Sequence, residues 1–283
     1  MIELQSGRLR CELHPGLGGA VAGLWLDGQP VLRSTPAAAL ASARQAGSYP
    51  LVPFSNRIGQ ATLVWQGTQH PLVRNNGGEP HAIHGVGWQR PWTVLDQDAT
   101  SAMLCYEHRG DAAWPFAFDC SQTFRLTPGG LAMALALTNQ APQAAPAGLG
   151  WHPWFTKRPG AHLVLRASGR WEMGPDQLPT HRSASTGLDA DGATLTVDHC
   201  FDGWDGLAQL RDPVMQVRVR SELSRVVVCT SPSRDALAIE PVTHVNNAMD
   251  MVAAGAPAAE LGLRVLQPGE TMVAQMAIEV EPA

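Results

Sequence analysis

Leu131-Ala132-Met133-Ala134-Leu135-Ala136-Leu137 alternates large and small apolar side chains without a break. A strand repeats every two residues, so the four large side chains fall on one face and the three alanines on the other. The small face is expected to let a second layer approach closely. Looser alternation recurs at 116–126, 214–219, 226–229 and 272–280. Gly and Pro punctuate the chain about every ten residues, as at Pro128-Gly129-Gly130 and Pro268-Gly269, a spacing typical of sandwiches and barrels rather than βαβ units. The best helix candidate is the short run 37–44 (AAALASAR). Stretches 139–148, 174–192 and 253–259 read as loops, and none is long or biased enough to link domains. The expectation is all-β: one large β-sandwich domain over residues 1–283, with a concave sheet face available to a ligand.

Composition narrows the function classes. Of 283 residues, 45% are hydrophobic and 16% charged, enough for a packed core and too few charges for disorder. The net charge is −5 and no basic tract is present, which argues against a nucleic-acid partner. Cys11, Cys105, Cys120, Cys200 and Cys229 are odd in number and without a CxxC; they read as buried free thiols in a reducing compartment. The start, Met1-Ile2-Glu3-Leu4-Gln5-Ser6, has neither the basic region nor the apolar stretch of a signal peptide. No apolar run approaches the ~18 residues of a membrane span. A cytoplasmic protein without a membrane partner is expected; the sequence sets no oligomeric state.

Four polar clusters fall where strands or their ends should be. Ser55-Asn56-Arg57 supplies donors in fixed geometry, suited to adjacent sugar hydroxyls or equally to a solvated turn. His81-Ala82-Ile83-His84-Gly85-Val86-Gly87-Trp88, leading to Trp92, combines glycines with aromatics, as a sugar-binding loop would. An i, i+3 histidine pair on a strand points to opposite faces, and no Cys or carboxylate follows at a zinc spacing, so no metal is expected. In Gly150-Trp151-His152-Pro153-Trp154-Phe155 a histidine sits between tryptophans. An apolar surround would disfavour its protonated form, and a nearby carboxylate would restore it. Finally, Glu240 follows the apolar run Ala236-Leu237-Ala238-Ile239. There it is either turned to solvent or buried with a partner. No nucleophile elbow, P-loop or dinucleotide fingerprint is present.

Taken together, these segments resemble the aldose 1-epimerase (galactose mutarotase) family. The pieces run in the family's order across nearly the whole chain: Asn56-Arg57, Ile83-His84-Gly85, His152-Pro153-Trp154-Phe155, Asp198-His199-Cys200-Phe201 and Glu240-Pro241. The resemblance implies a galactose-mutarotase-like supersandwich, a monosaccharide substrate and no cofactor. It implies Glu240 as general base on the anomeric hydroxyl and His152 as general acid at the ring oxygen. His84 and Arg57, with Asn56 beside it, would bind sugar hydroxyls, Trp154 would line the site, and Asp198 would hold a further hydroxyl. Asp202 and Asp205 lie close enough to take that last place instead. His81 matches no catalytic position. The sequence departs from better-known members where Gly85 is followed by Val86-Gly87-Trp88 rather than by a second glycine, which bears on sugar preference.

Anomer interconversion needs a proton taken from O1 and another delivered to the ring oxygen, with roles reversed on closure. A carboxylate and an imidazole flanking C1 suffice. Two rival functions share the fold: a hexose-6-phosphate mutarotase, and a sugar-binding or regulatory module without catalysis. The first needs a basic clamp, to which Arg57, Arg74 and Arg90 are the sequence candidates. Without an evident arginine cluster the expected substrate is a free aldose. The second has no need of an acid–base pair, which the chain retains.

Overall fold

In the computed structural model, which describes residues 1–283, the alternating stretch lies within strand Gly130–Asn139. Leu131, Met133, Leu135 and Leu137 are all buried, none more than 3% exposed. Truncating one of them to Ala is worth about 2–5 kcal/mol of stability. Ala132 is exposed and Ala134 and Ala136 half-buried. The alanine face therefore borders solvent, and the close second layer expected over it is not there. An antiparallel sheet can bury one face and solvate the other, and period two alone does not say what covers the small side.

Two large antiparallel sheets organise the molecule. The wider has nine strands in the order Thr93–Gln97, Ser101–His108, Phe118–Thr127, Gly130–Asn139, Thr271–Pro282, Met215–Ser221, Leu207–Arg211, His162–Leu165 and Leu188–Asp191. The second runs Pro179–Ala184, Gly169–Met173, Val197–Asp202, Arg225–Thr230, Ala236–Val242, Gly150–Trp151 and Pro50–Leu51, with Trp154–Thr156 also paired to Ala236–Val242. A four-stranded sheet, Ile2–Ser6 to Gln29–Pro30, precedes them. Residues of all three sheets share one core of 80 buried side chains. All the stretches that alternate in sequence are strands here, within a few residues of their expected ends.

Several local expectations fail. The run 37–44 forms no α-helix but two short 3₁₀ turns, Ala37–Ala39 and Ala43–Gln45, each ending on an extended residue. Alanine favours helix, yet so short a run cannot repay helix nucleation. Stretch 174–192 holds the strands Pro179–Ala184 and Leu188–Asp191, both at sheet edges. Edge strands tolerate the polar residues that made this stretch look like a loop. Stretch 139–148 includes the short strand Ala145–Ala147, and 253–259 joins two short helices, Ala248–Ala253 and Ala258–Leu261. All five cysteines are free; Cys11, Cys120 and Cys200 are buried, Cys105 and Cys229 only half so. No helix is long and apolar enough to cross a membrane.

Candidate active site

Strand Ala236–Val242 is buried at every position. Leu237 and Ile239 enter the main core, whereas Ala236 and Ala238 form a separate cluster with Trp154. By period two, Glu240 shares the face of Ala236 and Ala238, away from the core, where small alanines leave room for a ligand. The neighbouring chain pairs Gly150 with Val242 and Trp154 with Ala238. That register sets His152 directly opposite Glu240. The ladder lapses between those pairs, at His152-Pro153, where proline has no N–H to donate. The His152 N–H donates instead to the Tyr49 carbonyl, 3.0 Å away on its other side.

His152 Nε2 and Glu240 Oε1 are 3.4 Å apart. Both side chains are buried, and His152 Nδ1 and Glu240 Oε2 have no hydrogen-bond partner within the protein. Sequence left the glutamate's orientation open; the structure buries it. Burial is also the main influence on protonation. It pushes Glu240 well above the usual carboxylate range, an effect that Asp198 reinforces and Arg57 opposes. It lowers His152 to about 3, with Arg33, Arg234 and Arg44 adding to the effect against the residue's own backbone hydrogen bond. Burial disfavours charge on both partners, so the form of the pair that carries one proton holds it on Glu240 rather than on His152. An ionised Glu240 with a protonated His152, the form expected to be active, holds the same number of protons. The two forms differ only in which side of a short gap the proton occupies.

A second group faces this pair. Arg57 is buried, and its Nε and Nη2 donate to Glu79 Oε2 and Oε1 at 3.0 and 3.3 Å. Burial works to raise Glu79, but the hydrogen bond and charge of Arg57, with smaller help from Asn76 and His81, together outweigh it and hold Glu79 below its ordinary value. Asn56 and His84 brace one another. The His84 N–H donates to the Asn56 carbonyl at 2.8 Å, and the Asn56 N–H donates to His84 Nδ1 at 3.1 Å. Both are non-glycine residues in the left-handed region, at φ 54° and 61°, a strained geometry that tends to collect at ligand sites. With Nδ1 accepting, a neutral His84 carries its proton on Nε2; its ring lies 5.2 Å from that of His152.

His81 turns elsewhere: its Nδ1 accepts from the Gln60 N–H, and its Nε2 meets the Asp176 carbonyl at 2.9 Å. It is a structural tie between loops. No group of three or more His, Cys, Asp or Glu side chains is placed to hold a metal ion.

Asp198 is the aspartate that reaches the pair's neighbourhood. It opposes Cys229, which opposes Ala238, which opposes Trp154, so these four form one row across the sheet beside the Glu240–His152 row. Asp202 is engaged by Arg182 and by Trp171 Nε1 at 2.9 Å. Asp205 holds the turn to Leu207. An open depression of about 380 Å³, lined in part by Asp198, Cys229, Thr230 and Arg234, adjoins the row.

Aromatic rings complete the site. Trp154 stacks on His152 at 4.9 Å, and Tyr49 lies 4.8 Å from the same ring and 5.5 Å from Trp88. Tyr49, Glu79 and a cluster of arginines went unnoticed in the sequence. Arg57 is committed to Glu79 and Arg90 to Asp111, and Arg74 is exposed; they form no clamp. Arg33 and Arg234 instead stand over Trp154 at 5.1 and 5.4 Å, and Arg44 over Trp88 at 4.8 Å.

The buried imidazoles should make the fold acid-sensitive. His84 is held well below 6.5 and His152 near 3, and burial also lowers His244 to about 4. An unfolded chain binds protons that these folded imidazoles refuse. Their stabilising effect is complete above ~6.5 and is lost as pH falls, by about 1.4 kcal/mol per pH unit for each histidine. Glu240, raised by burial, works in the opposite direction above ~4.5 and offsets part of this loss. Urea midpoints at pH 7, 6 and 5 should therefore fall steadily; a flat series would show that these histidines are solvated.

Known proteins resemble this chain in sequence and fold. The model of the aldose 1-epimerase family matches residues 1–279. The uncharacterized protein YphB of Escherichia coli K12 is 30% identical over 301 aligned positions, covering 98% of each chain. A crystal structure of a candidate aldose 1-epimerase from Escherichia coli K12 superposes with a TM-score of 0.88 at 28% identity, over 99% of this chain and 98% of that one. A galactose mutarotase-like protein from Clostridium acetobutylicum shares the fold, at a TM-score of 0.83 and 19% identity, over 99% and 95% of the two chains. By its sequence, its sandwich of broad sheets and its family match, the chain belongs to the aldose 1-epimerase family.

Proposed function

We propose that the protein interconverts the α and β anomers of a free aldose, one whose anomeric hydroxyl is unsubstituted, through ring opening. The observation that carries this reading is the register-opposed pair of Glu240 and His152, 3.4 Å apart and buried together. O1 and the ring oxygen are both bonded to C1, so a base for one and an acid for the other must be close neighbours. An O1 hydroxyl donating to Glu240 favours its ionised form, and a ring oxygen accepting from His152 favours the imidazolium. Binding thus draws the shared proton across the gap. Glu240 then takes the O1 proton while His152 protonates the ring oxygen. The C1–O5 bond breaks, C1 becomes an aldehyde, and the pair is left with the proton on Glu240. Rotation about C1–C2 and the reverse transfers close the ring on the other face. The proton count of the pair never changes, so no proton need come from solvent.

In this reading Arg57, Asn56 and His84 donate to ring hydroxyls, Asp198 accepts from a further one, and Trp154 packs on the C–H face of the sugar. Arg57→Ala and His84→Ala are expected to raise KM at least as much as they lower kcat, at about 1–3 kcal/mol for each lost donor. An unchanged KM in both variants would remove them from the pocket. The decisive assay is anomer exchange followed by polarimetry or NMR. Sugar binding without exchange would favour a non-catalytic sugar-binding module.

A further inference from the structure

The sugar site leaves three cations unexplained. Arg33 and Arg44, from one segment, and Arg234, from far along the chain, stand over Trp154 and Trp88. Arginines elsewhere are mostly paired: Arg158 with Asp212, Arg170 with Glu172, Arg182 with Asp202, Arg218 with Glu281. None of these three is within 4.0 Å of a carboxylate, although the chain has 25 acids to 20 bases. Arg33 is fixed in place: its N–H donates to the Trp154 carbonyl at 2.6 Å, and its Nη2 donates to the carbonyls of Arg44 and Ala46 at 2.5 and 2.9 Å. Its Nε is buried with no partner. Arg44, whose Nη2 also donates to Asn76 Oδ1, and Arg234 are exposed, so the cost falls on the half-buried Arg33, whose unpartnered Nε is costly unless an anion joins the group.

The site is also polarised along its length. His152 senses Arg33, Arg234 and Arg44, whereas Glu240 senses Asp198 and Arg57. With Glu240 at O1 and His152 at the ring oxygen, the ring continues from that oxygen to C5, which carries C6. A substituent on C6 therefore leaves the His152 end of the site, on the side of the arginines.

We infer that the substrate is an aldose bearing an anionic group on C6, a phosphate ester or a carboxylate, held by Arg33, Arg44 and Arg234. The inference rests on the mutarotase reading above and replaces the neutral sugar that an absent arginine cluster had implied. Guanidinium groups bind such oxyanions through charge-assisted hydrogen bonds that a C6 hydroxyl cannot match.

The test compares kcat/KM for anomer exchange across glucose, glucose 6-phosphate and glucuronate, and across the matching galactose series. At least one C6 anion should exceed its neutral parent by about 10–100-fold, the worth of one or two charge-assisted bonds. The 6-phosphate and uronate arms show which anion is preferred. In the double variant Arg44→Gln/Arg234→Gln, whose side chains are exposed, the ratio of charged to neutral substrate should fall at least tenfold with an unchanged Tm. Arg33 is left intact because it ties backbone carbonyls. Neutral hexoses exchanged as well as every C6 anion, or a ratio unmoved in the double variant, would overturn the inference and leave the mutarotase reading standing. Absence of exchange with every sugar in both series would overturn both.

Discussion

Glu240→Gln is expected to lower kcat for anomer exchange by roughly 10²–10⁴-fold, the usual worth of one positioned base, and His152→Asn to do the same for the acid. Gln keeps the size and hydrogen-bonding capacity of the glutamate but cannot take the O1 proton; Asn keeps a donor but no titrating ring. The double variant should be little worse than the poorer single, because one proton serves both groups and losing either stalls the cycle. Both variants should fold. Gln at position 240 also avoids the cost of holding neutral a buried carboxyl that the unfolded chain would ionise, so its stability at neutral pH should equal or exceed that of the parent. The acid limb of the parent's kcat/KM should lie well below the ordinary histidine range, and its alkaline limb above the ordinary carboxylate range. A second proton enters the pair only as pH falls toward about 3 on His152, and the last leaves only above the raised Glu240 value. A narrow bell with both limbs within a unit of pH 7 would contradict the shared-proton picture. Near-wild-type exchange by Glu240→Gln would remove it as the base, and the same result for both variants would make the protein a binder.

The second large effect is structural. Gly85→Ala should cost on the order of 3 kcal/mol or more and disturb the site with the fold. Gly85 has φ +68°, and a Cβ there would lie 2.1 Å from the Val52 carbonyl oxygen and 2.4 Å from its carbon. Neither backbone can yield freely, because that carbonyl accepts the N–H groups of Val86 and Gly87 at 2.9 and 3.1 Å. Moving Gly85 also moves His84 and strains its reciprocal bonds with Asn56. At about 2–4 °C per kcal/mol for a chain of this size, Tm should fall on the order of 10 °C, with KM raised at temperatures where the protein still folds. Gly77→Ala is the control: its φ is +58°, but nothing lies within 4 Å of the added carbon. It should lose only the backbone penalty of about 1 kcal/mol. A fall in Gly85→Ala no larger than in Gly77→Ala would mean the close approach at Val52 is relieved at little cost.

The Leu131–Leu137 alternation was enough to place a strand and say which side chains face the core, because backbone pleat fixes the direction of successive side chains from neighbours alone. The same local logic gave the sandwich class and flagged Asn56-Arg57, His84, His152 and Glu240 as polar interruptions of strands. What covers the alanine face, and whether the polar edges at 179–184 and 188–191 pair at all, depends on distant segments. So does the site. His152 stands opposite Glu240 because Gly150 meets Val242 and Trp154 meets Ala238, a register between segments some ninety residues apart that no local pattern records. Glu79 on Arg57, Tyr49 against His152 and the three arginines around Trp154 and Trp88 carry no signal in sequence, since each is an ordinary residue until folding brings its partner near. The proton's place on Glu240 likewise follows from burial, which belongs to the assembled structure and not to either residue. The sequence by itself determined the strands and the chemical kinds of residue on them; the tertiary structure decided which of those residues meet, because strand pairing and desolvation are set by contacts far apart along the chain.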